Sequence, residues 1–430
     1  MQTMESHPVV APPRRTDYMT IAQLVVSGLG FAIALLTAGV LALAGAINLF
    51  GEVGQPTSTN LMFGMAWISL LIAILAVPSI LFSIQRLSGR EVFPWLARYP
   101  RNSFRLATLL LLVWPLVLLL GNLLSSGSSL AWLLLPPLQL LAAGIPTWWL
   151  IEIARRNLRS GSRQRGWGLV NFSMFISTPA LMVIELIAMG VLLVLFIMWA
   201  STQPELIREL ERLAERLVTV QADPEAVLQM LSPYLLNPWV IFSAFAITAG
   251  LVPLIEEFLK PLAIWLLAGR RLTPSEGFVA GVLCGGAFGL VESLFYLTNP
   301  TGDGWAVLAA GRAGTILLHI STTALVGWAM AKTWQTGAYL RLAAAYLAAV
   351  ALHGLWNGMA IFSALPSLVQ NPAEDMRLIY NLSKAAPFGI ALLAVLLFAL
   401  LIGINRYLRN QSKGTAFAVE PANGPLEPIP

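Results

Sequence analysis

The sequence predicts an all-α fold, a polytopic membrane bundle of about ten transmembrane helices with both termini cytoplasmic. Three observations predict it. The 430 residues are 57% hydrophobic and only 11% charged, with a mean hydropathy of +0.75, whereas a soluble domain carries about 25% charged residues. Apolar runs long enough to cross about 30 Å of hydrocarbon recur along the chain. The loops between these runs alternate in basic content, and Lys and Arg concentrate on the cytoplasmic side of membrane proteins.

In order, the runs are Ile21–Leu49, Leu61–Ile84, Leu106–Leu124, Leu130–Ile153, Leu169–Ala200, Trp239–Ala268, Ser275–Leu297, Trp305–Ala331, Leu342–Phe362 and Pro387–Ile404. One set of loops holds Arg14 and Arg15, then Arg86, Arg90, Arg98 and Arg101, then Arg155 to Arg165, Arg270 and Arg271, Lys332 and Arg341, and finally Arg406, Arg409 and Lys413. The opposite loops are poor in basic residues, including Asn299–Gly304 and the stretch around Asn371. The net charge of +5 is therefore a topology signal. It is scattered through short loops rather than clustered on one face, so nucleic acid is not an expected partner. The partner the composition names is the lipid bilayer, with the cell membrane as the expected location. The stretch up to Asp17 is polar and Pro-rich, and no cleavage site follows the first run, which is expected to remain as a span. The single cysteine, Cys284, can form no intramolecular disulfide and reads as a small core residue.

These features divide the chain into a cytoplasmic tail (1–18), a five-helix region of unknown role (19–200), an external amphipathic hairpin (201–238), a catalytic-type core (239–363), an external loop with the last span (364–406) and a disordered tail (407–430). In the hairpin, apolar residues from Pro204 onward recur at three- and four-residue spacing, with Glu205/Arg208 and Glu209/Arg212 at i,i+3. Asp223-Pro224 then signals the start of a second short helix. A solvated connector is one reading of this hairpin. A membrane-surface element beside the substrate path is the other.

Four consecutive spans carry ionisable residues that a bilayer should exclude. They read Leu254-Ile-Glu256-Glu257-Phe-Leu-Lys260, Phe288-Gly-Leu-Val-Glu292, Arg312 followed by His319, and His353-Gly-Leu-Trp-Asn357. Such residues cost several kcal/mol at mid-bilayer, so they tend to face inward, pair and serve function. At 1.5 Å per residue, Glu256 lies about 21 Å from Arg270, His319 about 20 Å from Lys332 and His353 about 18 Å from Arg341. Three side chains thus reach a similar depth. Glu292, counted from a capping box at Thr273-Pro-Ser-Glu276, stands about 27 Å up, level with Arg312, and the two are expected to share a hydrogen-bond network. Glu256 and Lys260 stand at i,i+4 and can pair, with Glu257 on an adjacent face. His353 and Asn357 have the same spacing, so the amide can orient the ring. Pro253 and Pro261 bracket the first motif and can open its helix, and Gly354 and Gly358 keep the last helix slim. Glu185, alone in the fifth span with no motif around it, reads as a packing residue.

Paired carboxylates with imidazoles are the groups of acid–base hydrolysis. No His-Glu-x-x-His string is present, the aspartates Asp17, Asp223, Asp303 and Asp375 all fall in loops or tails, and Ser321 points away from His319 on its helix. What remains is a glutamate that activates water while histidine or asparagine stabilises the oxyanion. No metal ligand set and no cofactor is assigned. The same groups also suit a divalent metal site, a proton or ion path in a transporter, or a relative that binds without catalysis; no internal repeat of the transporter kind is visible.

Residues from about Trp239 to Phe362 resemble the PrsW family of glutamic intramembrane proteases, distantly related to CAAX prenyl proteases. Glu256-Glu257-x-x-Lys260, Phe288-x-x-x-Glu292, Arg312 with His319, and His353-x-x-x-Asn357 carry the resemblance. It implies a metal-independent protease of membrane-anchored substrates such as anti-sigma factors. On it, Glu256 and Glu257 hold the water-activating role, His319 and His353 stabilise or shuttle protons, and Glu292 completes the site. Ser293 stands where the family pattern leads one to expect Asn.

Overall fold

The structure, a computed structural model, describes residues 17–51, 56–89, 102–126, 128–219, 224–298, 304–368 and 377–417. The tail bearing Arg14 and Arg15, the Arg90–Arg101 loop, Asp223, Asn299–Asp303, the loop around Asn371 and the extreme C-terminus lie outside these residues. Among the described residues there is no strand, and ten helical spans are long and apolar enough to cross a membrane, one for each run read from the sequence.

The first half opens with α1 (Tyr18–Phe50) and α2 (Pro56–Ser88), packed as a hairpin. Asp17 caps α1 by accepting from the Thr20 backbone N–H at 3.2 Å. The buried hydroxyl of Ser27 donates to Ser79 at 2.8 Å, cross-linking the two helices. Then come α3 (Ser103–Ser125) and α4 (Ala131–Ala154), which pack on each other. The fifth span is broken into α5 (Arg163–Phe172), a π-helical turn Ser173–Ser177 and α6 (Thr178–Ala200). Outside the spans lie α7 (Pro204–Thr219) and α8 (Pro224–Leu235), the two helices expected of the hairpin. The sixth span is broken likewise into α9 (Pro238–Phe245), a π-helical turn Ala246–Leu251, α10 (Val252–Leu259) and α11 (Leu262–Trp265). The remaining spans are α12 (Pro274–Leu297), α13 (Trp305–Thr336), α14 (Tyr339–Leu368) and α15 (Arg377–Phe417). This last helix continues through Phe417, so residues 407–417, expected to begin a disordered tail, are helical.

Both broken spans carry a proline just past the π-helical turn, Pro179 in one and Pro253 in the other. Proline has no N–H for the carbonyl four residues back, and a widened turn accommodates the lost bond. The sixth span is thus distorted just before the acidic motif, at Pro253, and broken just after it, at Pro261 between α10 and α11, so the two prolines bracket the motif as the sequence suggests.

The core is the α12–α13 pair, where 78% of each span window is buried. Their closeness is set by glycine. A Cβ on Gly281 would stand 2.2 Å from the Thr323 carbonyl, and one on Gly285 would stand 2.2 Å from that of His319. Small residues at four-residue spacing let two helix backbones meet in this way. The start of α12 is fixed by the expected capping box, in which Thr273 and Glu276 each bond the other's backbone N–H. Arg165 of α5 pairs with Glu276 as well.

Candidate active site

The four polar motifs meet at one point, and that point is an ammonium group. Lys260 follows α10 directly, and its side chain is fully buried. Its Nζ lies 2.8 Å from Glu257 Oε1, 2.8 Å from His319 Nδ1 and 3.3 Å from His353 Nδ1. Glu256 Oε2 is also 2.8 Å away, as an ion pair rather than an aligned hydrogen bond. The Phe288 ring covers the ammonium at 4.8 Å from its centroid and meets the His319 ring edge-on at 4.9 Å. Sequence spacing anticipated the Glu256–Lys260 pair. It placed Glu257 on another face, yet the flexible lysine stem reaches both carboxylates at once.

Each imidazole is anchored by a carboxylate. His319 Nε2 is 2.7 Å from Glu292 Oε2, and His353 Nδ1 is 2.8 Å from Glu257 Oε1. These anchors fix the tautomers: Nε2–H of His319 donates to Glu292, leaving Nδ1 to accept from Lys260. Nδ1–H of His353 donates to Glu257, leaving the lone pair of Nε2 directed towards Glu256, 3.8 Å away. The two rings approach edge to face, 5.2 Å between centroids. Thr322, which the sequence reading did not single out, donates to Glu257 Oε1 at 3.2 Å.

Glu292 and Arg312 do form the expected pair, at 2.5 Å. Arg312 Nε also donates to Ser293 at 3.2 Å, and its guanidinium lies over the Tyr296 ring. The serine at the position where Asn was expected thus has a definite partner. This is the open side of the cluster: the Glu292 side chain is 24% exposed, that of Glu257 not at all.

Two expectations need correction. Asn357 does not orient His353. Its amide donates to the Thr248 carbonyl at 3.0 Å, inside the π-helical turn, and Glu257 holds the ring instead. Gly354 next to it has its expected use, since a Cβ there would stand 2.2 Å from the Ala249 carbonyl. Glu185 is not an isolated packing residue. Its side chain reaches that of Glu256 and lies in electrostatic range of Lys260 and Glu292. The missing signal was tertiary, because α6 carries no motif and meets the site only by packing on α10. Ser321 points away from the cluster and donates to the Leu397 carbonyl of α15.

Glu256, His319 and His353 also form a donor set whose ligand atoms lie within 4.8 Å of one another. Two imidazoles, each fixed through its other nitrogen by a carboxylate, plus a third carboxylate are what a catalytic divalent site requires. The residues therefore fit a metal, although Lys260 holds the same His319 nitrogen and Glu256 oxygen.

Ten helical spans around a buried cluster of carboxylates, imidazoles and an ammonium define an integral, multi-pass membrane protein with ionisable side chains gathered in its interior. The chain belongs to the PrsW family, membrane proteases: the family model described as PrsW family intramembrane metalloprotease matches residues 178–401. The match takes in α6 and the first part of α15 as well as the stretch that carries the motifs. No curated protein and no solved structure matches the chain.

Proposed function

We propose that this protein is a glutamic-type endopeptidase of the cell membrane. It hydrolyses a peptide bond in or near the span of a membrane-anchored regulatory protein of the anti-sigma-factor kind. The observation that carries the reading is the convergence of Glu256, Glu257, His319 and His353 on the single ammonium of Lys260. Glu257 is committed to Lys260, His353 and Thr322. Glu256 keeps the more open carboxylate and faces the lone pair of His353 Nε2. Water held between these two acceptors gives one proton to Glu256 as its oxygen attacks the scissile carbonyl carbon. Lys260 supplies positive charge for the oxyanion, and the proton on Glu256 passes to the amine as the C–N bond breaks. His319, Glu292 and Arg312 hold the ammonium and the imidazole in place.

The donor set of Glu256, His319 and His353 favours a second reading, in which those residues hold a divalent ion such as Zn²⁺. Such an ion polarises water as a Lewis acid. Cleavage of a reporter span in lipid vesicles tests both. Glu256→Gln and His353→Ala are each expected to lower kcat by about a hundredfold to ten-thousandfold. Equal cleavage by the parent and both variants would reject the protease. Cleavage lost to a chelator and restored by Zn²⁺ favours the metal reading, and proton-coupled uptake without cleavage favours a transporter.

A further inference from the structure

We propose that Glu185 is a substrate-contacting residue, whose carboxyl oxygen accepts a hydrogen bond from a backbone N–H of the unwound substrate segment beside Glu256. The inference rests on the endopeptidase reading above and adds a residue to its site. The neighbours of Glu185 on α6 face outward, with Leu186 73% and Ile187 61% exposed, and only 6% of the span window is buried. Glu185, one turn after the buried Leu181, turns inward instead. Its Oε1 is removed from solvent and has no hydrogen-bond partner, while the side chain reaches Glu256. Helix α6 packs on α10, the helix of Glu256, and so walls it on one side, with most of its own side chains facing outward. A carboxyl on such a wall is costly, and an orphaned acceptor oxygen adds to that cost.

A complementary group exists in the reaction itself. A peptide carbonyl inside a transmembrane helix is shielded by its own hydrogen bonds, so a substrate must unwind locally before water can attack. Unwinding frees backbone N–H groups that hydrocarbon cannot satisfy. An acceptor on the lipid-side wall, next to the water-activating carboxylate, is placed to take one of them. The class of ligand is therefore an extended backbone segment of a membrane-spanning polypeptide.

The test uses the full-length protein in vesicles, with a reporter span carrying single backbone N-methyl groups on either side of the scissile bond. Glu185→Leu suits a lipid-facing helix and removes the acceptor. Its kcat/KM is expected to fall by about tenfold to a hundredfold, while Glu185→Gln, which keeps an acceptor oxygen, falls by less. One N-methyl position is expected to slow the parent and to cost nothing more in Glu185→Leu. The same scan on Glu185→Ala guards against a folding defect in either variant. Unchanged kcat/KM in Glu185→Leu, or equal N-methyl penalties in parent and variants, overturns the proposal. A parent that cleaves no reporter defeats the endopeptidase reading and this inference with it; cleavage unaffected by Glu185→Leu defeats this inference alone.

Discussion

Helices α12 and α13 and the fifth and sixth spans contribute to the same site under opposite packing conditions. In the first pair 78% of each span window is buried, and in the other two spans 6%. The buried pair is drawn together by glycine and contributes Phe288, Glu292, Arg312 and His319, held in mutual contact. The outer spans contribute Glu185, Glu256 and Glu257 on helices interrupted by π-helical turns. The buried pair therefore anchors the imidazole of His319, while the outer spans supply carboxylates, those of Glu256 and Glu257, that are themselves buried against it. Lys260 joins the two.

Removing that junction should have the largest effect. Lys260→Met leaves buried carboxylates and imidazoles without their central cation, and breaking a buried ion pair costs about 3–5 kcal/mol. A large fall in the thermal midpoint in detergent and loss of reporter cleavage are expected; a variant as stable as the parent would contradict the central role of the ammonium. Next comes a matched pair of glycine substitutions. Gly285→Ala drives a methyl into the His319 carbonyl and should cost about 1–3 kcal/mol, with cleavage impaired. Gly190→Ala on α6 meets open space and should be neutral or stabilising by up to about 1 kcal/mol. Denaturation of both variants side by side sharpens the contrast, and equal shifts would erase it.

The smallest effect is expected away from both sets of spans. Arg86→Ala removes an exposed pair with Asp17 at 2.7 Å and should cost less than about 1 kcal/mol. Burial pushes the Asp17 carboxyl up, but its bonds to Thr20 and the charge of Arg86 outweigh this and hold it below the usual range. A lowered carboxyl stabilises the fold above its unfolded pKa and loses that contribution as pH falls through the folded one. The difference between Arg86→Ala and the parent should therefore shrink on acidification and grow back towards neutrality.

The spans were legible because hydrocarbon demands long apolar runs, and the four motifs because charge inside such runs is rare enough to notice. Equal depths of Glu256, His319 and His353 also follow from rise per residue alone. Periodicity within one helix, however, names only partners on that helix. It paired Lys260 with Glu256 and Asn357 with His353, whereas Lys260 also binds Glu257 and His319 and stands beside His353, both histidines coming from other spans. Asn357 turns instead to a carbonyl in a π-helical turn that no periodicity announces. Glu185 was illegible for the same reason, since its meaning lies in a neighbouring helix. The metal-type donor set is likewise a property of three spans together, and no string in the chain spells it.

The turn at Ala246–Leu251 sets the azimuth of everything after it. Each residue of an α-helix advances the chain by about 100°, so deleting one residue there would bring α9 and α10 into regular α-helical register. Glu256 and Glu257 would then swing by about that angle out of register with Lys260's other partners. A single irregular turn thus sets which face of this stretch meets the histidines of α13 and α14.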